Sequence, residues 1–190
     1  MERLSGGIAA GVLSIGLLGC GAPEAAPEGQ VAEDAASGSA QPPHIAAEAW
    51  STASATEDPF AANAAERIRC SPFALRIEAT WLEVDTSNCN YATVVYRFGA
   101  DAAAGDVIKG EIAWGPLAAA SPALGTLAFA TTRAGVLWTR DVPIPSEAGS
   151  MSLEFELGAE APAGSALYFN VRNHGANNWQ LSPLRLEPPG

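Results

Sequence analysis

From Cys70 onward, apolar and polar side chains alternate with a period of two, in short runs broken by Gly, Pro and Asn. That period belongs to strands lying with one face against a core. The pattern predicts strands over about residues 74–84, 91–98, 106–114, 125–131, 135–142, 150–157, 165–173 and 179–187. Turn chemistry stands between them, in Asp85-Thr86-Ser87-Asn88, Gly115-Pro116, Pro143-Ile144-Pro145 and Ala163-Gly164-Ser165. No stretch keeps a helical period long enough to cross between parallel strands. The expected fold is therefore all-β, an antiparallel β-sandwich or jelly roll of about eight strands.

Alternation also assigns faces. Met151, Leu153, Phe155 and Leu157 point one way, while Ser152, Glu154 and Glu156 point the other. In the next strand Leu167, Phe169 and Val171 are inward and Tyr168, Asn170 and Arg172 outward. If these strands pair, Arg172 faces Glu154 or Glu156 across the outer surface. Trp114 shares a face with Ile108 and Ile112, which marks it as core. Trp138, beside Val136 and Arg140, is a secondary candidate for stacking on a ligand.

The densest polar and aromatic cluster runs from Tyr168 to Gln180. Tyr168, Asn170, Arg172 and His174 form an outward stripe, and Asn177 and Trp179 follow as a second platform. An aromatic face with planar amide and guanidinium donors is the chemistry that recognises a sugar. The run Asn173-His174-Gly175-Ala176-Asn177-Asn178 is equally what a hairpin turn requires, and Trp179 is equally a core residue.

The N-terminus reads differently. An apolar run from Leu4 to Leu18 ends in Leu17-Leu18-Gly19-Cys20 and is too short for a helix crossing a membrane. This junction resembles the lipobox of bacterial lipoproteins. The resemblance implies a signal over 1–19, cleavage before Cys20 and acylation of that residue, with a lipid bilayer as partner. With Gly21 and Ala22 following Cys20, it implies a place in the bacterial cell envelope, at the outer rather than the inner membrane.

Residues 20–63 are Ala, Pro, Gly, Ser and Glu with few large apolar side chains, which predicts a disordered acidic tether. Ile45 to Ala49 and Trp50 offer a transient turn or a contact with the domain, and the reading favours neither. The sandwich is then expected over 64–190. Cys70 and Cys89 remain as a pair, and export makes a disulfide the expected state.

The net charge of −11 is carried mainly by this tether, since residues 21–63 hold seven acids and no Lys or Arg. With one Lys in the chain and no basic stripe, nucleic acid is not an expected partner. His44 in the tether and His174 in a turn cannot build a metal site together unless the tether folds back, and no cofactor motif, nucleophile elbow or phosphate loop is present. A non-catalytic protein is expected.

Gly149 to Glu187, with Met151-Ser152-Leu153-Glu154-Phe155, Ala166-Leu167-Tyr168-Phe169-Asn170-Val171 and the closing Asn178-Trp179-Gln180-Leu181-Ser182-Pro183-Leu184, resembles the end of a galactose-binding-like jelly roll. That family implies binding of glycans without catalysis. Its last strand commonly carries an Asp for a structural calcium where this chain has Ser182, so no metal is expected. A polysaccharide is the first expected ligand, and a protein partner in an envelope assembly is the alternative.

Overall fold

The computed structural model describes residues 43–64 and 67–190, so Cys20 and the lipobox expected to end there lie outside the described residues. Twelve strands are present among them: β1 (His44–Ile45), β2 (Ser51–Thr52), β3 (Leu75–Glu78), β4 (Trp81–Asp85), β5 (Tyr91–Arg97), β6 (Val107–Trp114), β7 (Ala123–Thr131), β8 (Gly135–Ile144), β9 (Gly149–Glu156), β10 (Ala166–Arg172), β11 (Asn178–Leu181) and β12 (Leu184–Glu187). They form two antiparallel sheets. A seven-stranded sheet has the order β1-β12-β6-β11-β4-β3, with β9 on the other side of β6, and a five-stranded sheet has the order β2-β5-β10-β7-β8. The expected all-β, antiparallel sandwich is what the chain forms.

Two of the expected long strands are each broken in two. The first reverses at Ala79-Thr80, where Ala79 takes the left-handed conformation (φ 56°), so β3 and β4 are a hairpin. The last breaks at Ser182-Pro183, since Pro183 has no N–H to give a ladder. Gly110 of β6 sits opposite this break, where a Cβ would collide with Leu184. There the Ser182 hydroxyl accepts the Glu111 N–H at 2.8 Å, while the Ser182 N–H donates to the Glu111 carbonyl at 2.9 Å.

The hairpin also explains the disulfide. Because the chain turns back at Ala79, Cys70 and Cys89 come to a Cα separation of 5.0 Å and are bonded. Closing a loop of 19 residues stabilises the fold by about 3 kcal/mol.

Between the sheets lies the main core, built on Ile108, Ile112, Leu127, Phe129, Leu153, Phe155, Leu167, Phe169 and Trp179. Phe129 is its centre, with ring centroids 4.8 Å from Phe169 and 5.0 Å from Phe155. The inward faces read from alternation in β9 and β10 are confirmed here.

The expected tether does not extend to residue 63. β1 pairs with β12 at one edge of the seven-stranded sheet and β2 pairs with β5 at the edge of the other, so residues 44–52 stitch the two sheets together. Trp50 is docked, its ring 5.9 Å from Tyr96. Residues 53–64 then run over the outer face of the five-stranded sheet. Ala53 and Phe60 join Tyr91, Val95, Ala128, Ala130, Ala166 and Tyr168 in a second apolar cluster. The three alanines leave room on the sheet for the larger rings.

This strap is held by one carboxylate. Asp58, its side chain fully buried, accepts from the Phe60 N–H (2.9 Å), Arg69 Nη1 (2.9 Å), the Tyr91 hydroxyl (2.7 Å) and the Thr93 hydroxyl (3.1 Å). Burial, reinforced by the neighbouring Asp58 charge, pushes the Tyr91 phenol up to about 12. Tyr91 therefore remains a donor to Asp58 well above the pH at which an exposed phenol ionises.

Ala40–Gly190 is a compact unit containing both sheets, both apolar clusters and the disulfide, so it holds every element its own fold requires. In this fragment Asp58→Ala is expected to lower the unfolding free energy by about 2–4 kcal/mol in urea titrations, because Arg69, Tyr91 and Thr93 all lose their acceptor. A change within about 0.5 kcal/mol, ordinary for a surface site, would contradict this role.

Candidate functional site

The outward stripe expected on β10 faces away from the core, as alternation requires, but it is not a surface. Tyr168 is 3% exposed and lies beneath the strap. Asn170 is wholly buried, its Nδ2 donating to the Ala92 carbonyl and the Thr93 hydroxyl, both at 2.9 Å. Arg172 is half-buried at the end of β10. It does not face Glu154 or Glu156, because β10 lies between β5 and β7 while β9 pairs with β6 in the other sheet.

The loop after β10 is not a hairpin turn either, since it carries the chain from the five-stranded to the seven-stranded sheet. Asn177 ties three loops together. Its Oδ1 accepts the Ala118 N–H at 2.8 Å, and its Nδ2 reaches the His174 carbonyl at 2.8 Å and Asn173 Oδ1 at 3.1 Å. Asn173 and the Asn177 carbonyl in turn bind the Thr86 hydroxyl, at 2.7 and 2.6 Å. Gly175 is required there, with φ 84° and its Cα turned into the Ala118 carbonyl. His174 alone of this loop's candidates is exposed.

Trp179 is fully buried between the sheets. Its ring lies 6.0 Å from that of Trp114, and Gly125 lacks the Cβ that would stand 2.6 Å from the indole. Of the expected site, Tyr168, Asn170, Asn177 and Trp179 are thus buried.

Exposed groups gather elsewhere. A groove of about 780 Å³ opens where the edge of one sheet meets the edge of the other, between β8 and β9. Trp138 of β8 lines it, half-buried, with its ring 5.9 Å from that of Phe129 and inclined to it by 65°. A register shift at Phe129/Ala130 leaves Leu137 as an extra residue of β8 just before Trp138. Such bulges re-aim side chains at sheet edges. Arg133 on the β7–β8 turn and Glu154 and Glu156 on β9 complete the polar lining, and Val107, Val136 and Phe155 the apolar one. The groove closes at one end where Gly158 approaches Ala134, with room for only 3.3 Å between a Cβ and the alanine methyl.

Among the described residues, Arg133 and Glu156 take part in no ion pair, and Glu154 meets only Lys109, at 3.9 Å. The groove therefore presents a part-exposed indole, a guanidinium and two carboxylates to solvent. Alternation shows Trp138 beside charged neighbours. What it does not show is that β9 brings its carboxylates to the same edge from another sheet.

A second depression, of about 600 Å³, lies on the outer face of the seven-stranded sheet among Arg76, Glu78, Glu83, Trp114, Asn178 and Gln180. Its polar groups are engaged with one another. Gln180 Nε2 donates to Glu78 Oε2 at 2.8 Å, and Arg76 binds Asp85 at 3.1 Å. Burial and the adjoining Glu78 raise the Glu83 carboxyl above its ordinary range. Among the described residues no three His, Cys, Asp or Glu side chains converge as metal ligands.

A carboxyl raised in the folded state is destabilising once ionised, so this strain grows as the pH rises through its folded value and disappears below its unfolded one. Glu83→Gln is accordingly expected to leave Ala40–Gly190 as stable or more stable near neutral pH. Any advantage should vanish in acid, where the glutamate is protonated in both the folded and the unfolded state. Urea midpoints at the two pH values check this, and a loss of stability at neutral pH would show that Glu83 serves as a needed anion.

No protein-family model and no curated protein matches the chain. Among solved structures, it is similar to CBM28, a carbohydrate-binding module described as specific for non-crystalline cellulose, with TM-score 0.47 and 12% identity over 74% of this chain and 87% of that one. It is also similar to the CBM22-1–GH10 modules of endo-1,4-β-D-xylanase 10B from Clostridium thermocellum, with TM-score 0.41 and 10% identity, covering 79% of this chain and 28% of that one. Its likeness to PfGH50B has TM-score 0.39 and 10% identity over 61% of this chain, which spans only 21% of that structure.

Proposed function

We propose that this protein is a lipid-anchored, non-catalytic module that binds a polysaccharide in the groove between β8 and β9. The observation that carries the reading is the joint presence of the Trp138 indole, the Arg133 guanidinium and the Glu154 and Glu156 carboxylates along one open groove. A pyranose presents C–H faces that pack on an aromatic ring and hydroxyl groups that pair with carboxylates and guanidinium N–H groups. An open groove receives a chain rather than one small molecule.

The test is retention of Ala40–Gly190 on a panel of insoluble and gel-embedded polysaccharides. Trp138→Ala is expected to weaken retention about tenfold or more, and Arg133→Ala and Glu156→Gln several-fold with unchanged melting temperature. Tyr168→Ala and Asn177→Ala should instead lower stability, each by about 1–3 kcal/mol, while leaving retention of the folded fraction intact. A folded fragment that no polysaccharide retains would end the glycan reading.

The anchoring part rests on Leu17-Leu18-Gly19-Cys20. Acyl chains on Cys20 would hold the protein to the envelope membrane, the outer membrane being the favoured one, with the residues before His44 as the spacer. Cys20→Ser should move the full chain from the membrane fraction to the soluble fraction. Persistence with the membrane would refute the lipobox.

A second reading, a protein partner, is favoured by a different observation. Phe73 is 90% exposed and Ile68 64%, apolar groups that a protein partner would cover.

A further inference from the structure

We infer that β3 is a self-association edge, through which two copies of this chain join their seven-stranded sheets. β3 ends that sheet and has β4 alone as its neighbour. Open edges invite pairing with another chain unless they are short, charged or interrupted. The other edges carry blocks of their own: β1 and β2 have two residues each, β8 contains Pro143, and β9 presents two like charges, Glu154 and Glu156, whereas the two charges of the four-residue β3 are of opposite sign. At β3 the exposed side chains are instead Arg76, Ile77 (44%) and Glu78, with Phe73 just before it.

The order of these residues is self-complementary. An antiparallel pair with Ile77 opposite the partner's Ile77 puts Arg76 opposite the partner's Glu78, and Glu78 opposite the partner's Arg76. Two opposite-charge cross-strand pairs then flank a central apolar pair. The backbone allows this register. In a two-residue hairpin the pair next to the turn, here Glu78 and Trp81, exchanges hydrogen bonds, so alternation leaves the N–H and C=O of Leu75 and Ile77 directed away from β4.

Arg76 keeps capacity for the new pair. Its side chain is 61% exposed although it already meets Asp85 at 3.1 Å and Glu83 at 3.9 Å. The same register carries the exposed Phe73 toward the partner's hairpin turn, which covers an apolar group otherwise left in water. Strand order β3-β4-β11-β6-β9 puts the β8–β9 groove at the opposite edge, so association leaves both grooves open.

The experiment uses Ala40–Gly190, whose cysteines are the bonded pair Cys70 and Cys89. Light scattering is expected to give a concentration-dependent dimer. Ile77→Cys should form an intermolecular disulfide on mild oxidation, because directly opposed residues of a hydrogen-bonded pair have Cα atoms about 5.5 Å apart. Leu124→Cys, 50% exposed on another strand, should not.

Arg76→Glu and Glu78→Arg, each alone, should weaken dimerisation at least tenfold. The double variant Arg76→Glu/Glu78→Arg restores both opposed pairs and should recover the dimer, with circular dichroism confirming that all variants are folded. A fragment that stays monomeric, Ile77→Cys that cross-links no better than Leu124→Cys, or a double variant as weak as the single ones would each overturn the proposal.

Discussion

The Asp58 carboxylate under the strap is the constraint from which the rest of the arrangement follows. A buried anion is tolerated only with its acceptor sites filled, and Arg69, Tyr91, Thr93 and the Phe60 N–H fill them. Those donors come from the strap itself, the segment leading to the disulfide, and β5. Holding Asp58 therefore holds residues 53–64 against the sheet, and Phe60 with them. The outer face of the five-stranded sheet becomes a second apolar layer, and β10, at its centre, is buried on both sides. The open middle of that sheet is thereby lost as a binding surface, and candidate chemistry is displaced to the edges of the sandwich.

Much of this was legible in the chain, and the parts that were not share a cause. Six of the eight expected strands correspond to β5 through β10, the facing of β9 and β10 is as alternation indicates, and the Cys70–Cys89 bond is present. Period-two alternation reports which way a side chain points. It does not report whether something covers it. Tyr168 and Asn170 point outward and are nonetheless buried, because the cover comes from a segment whose composition is that of a linker. Its anchors are few: Trp50, Phe60, and Asp58-Pro59-Phe60, in which the carboxylate folds back onto the Phe60 N–H. One charge and two rings held by non-local partners do not register in a compositional average. The strand breaks at Ala79 and Pro183 were missed for a related reason, as both interrupt apolar patterns that otherwise continue.

The edges divide the proposed chemistry between them. At one edge β8 and β9, from different sheets, leave a groove with an indole, a guanidinium and two carboxylates. At the other, β3 offers a short strand with an alternating charge pair and exposed apolar groups. A dimer through β3 would set two such grooves at the ends of a ten-stranded row, about 43 Å apart at ordinary strand spacing. Two sites held at fixed separation on one polymer bind more tightly than either alone, so the two proposals reinforce each other without depending on the same residues.

Hydrogen–deuterium exchange of Ala40–Gly190 measures most directly whether the strap is part of the fold. Ala53 donates to the Thr93 carbonyl at 2.9 Å and the Phe60 N–H to Asp58 at 2.9 Å, so both amides report on it. Both are expected to exchange with the slow amides of β5 and β10, in one cooperative opening. Exchange of both at the rate of a free chain, with β5 and β10 still protected, would contradict it.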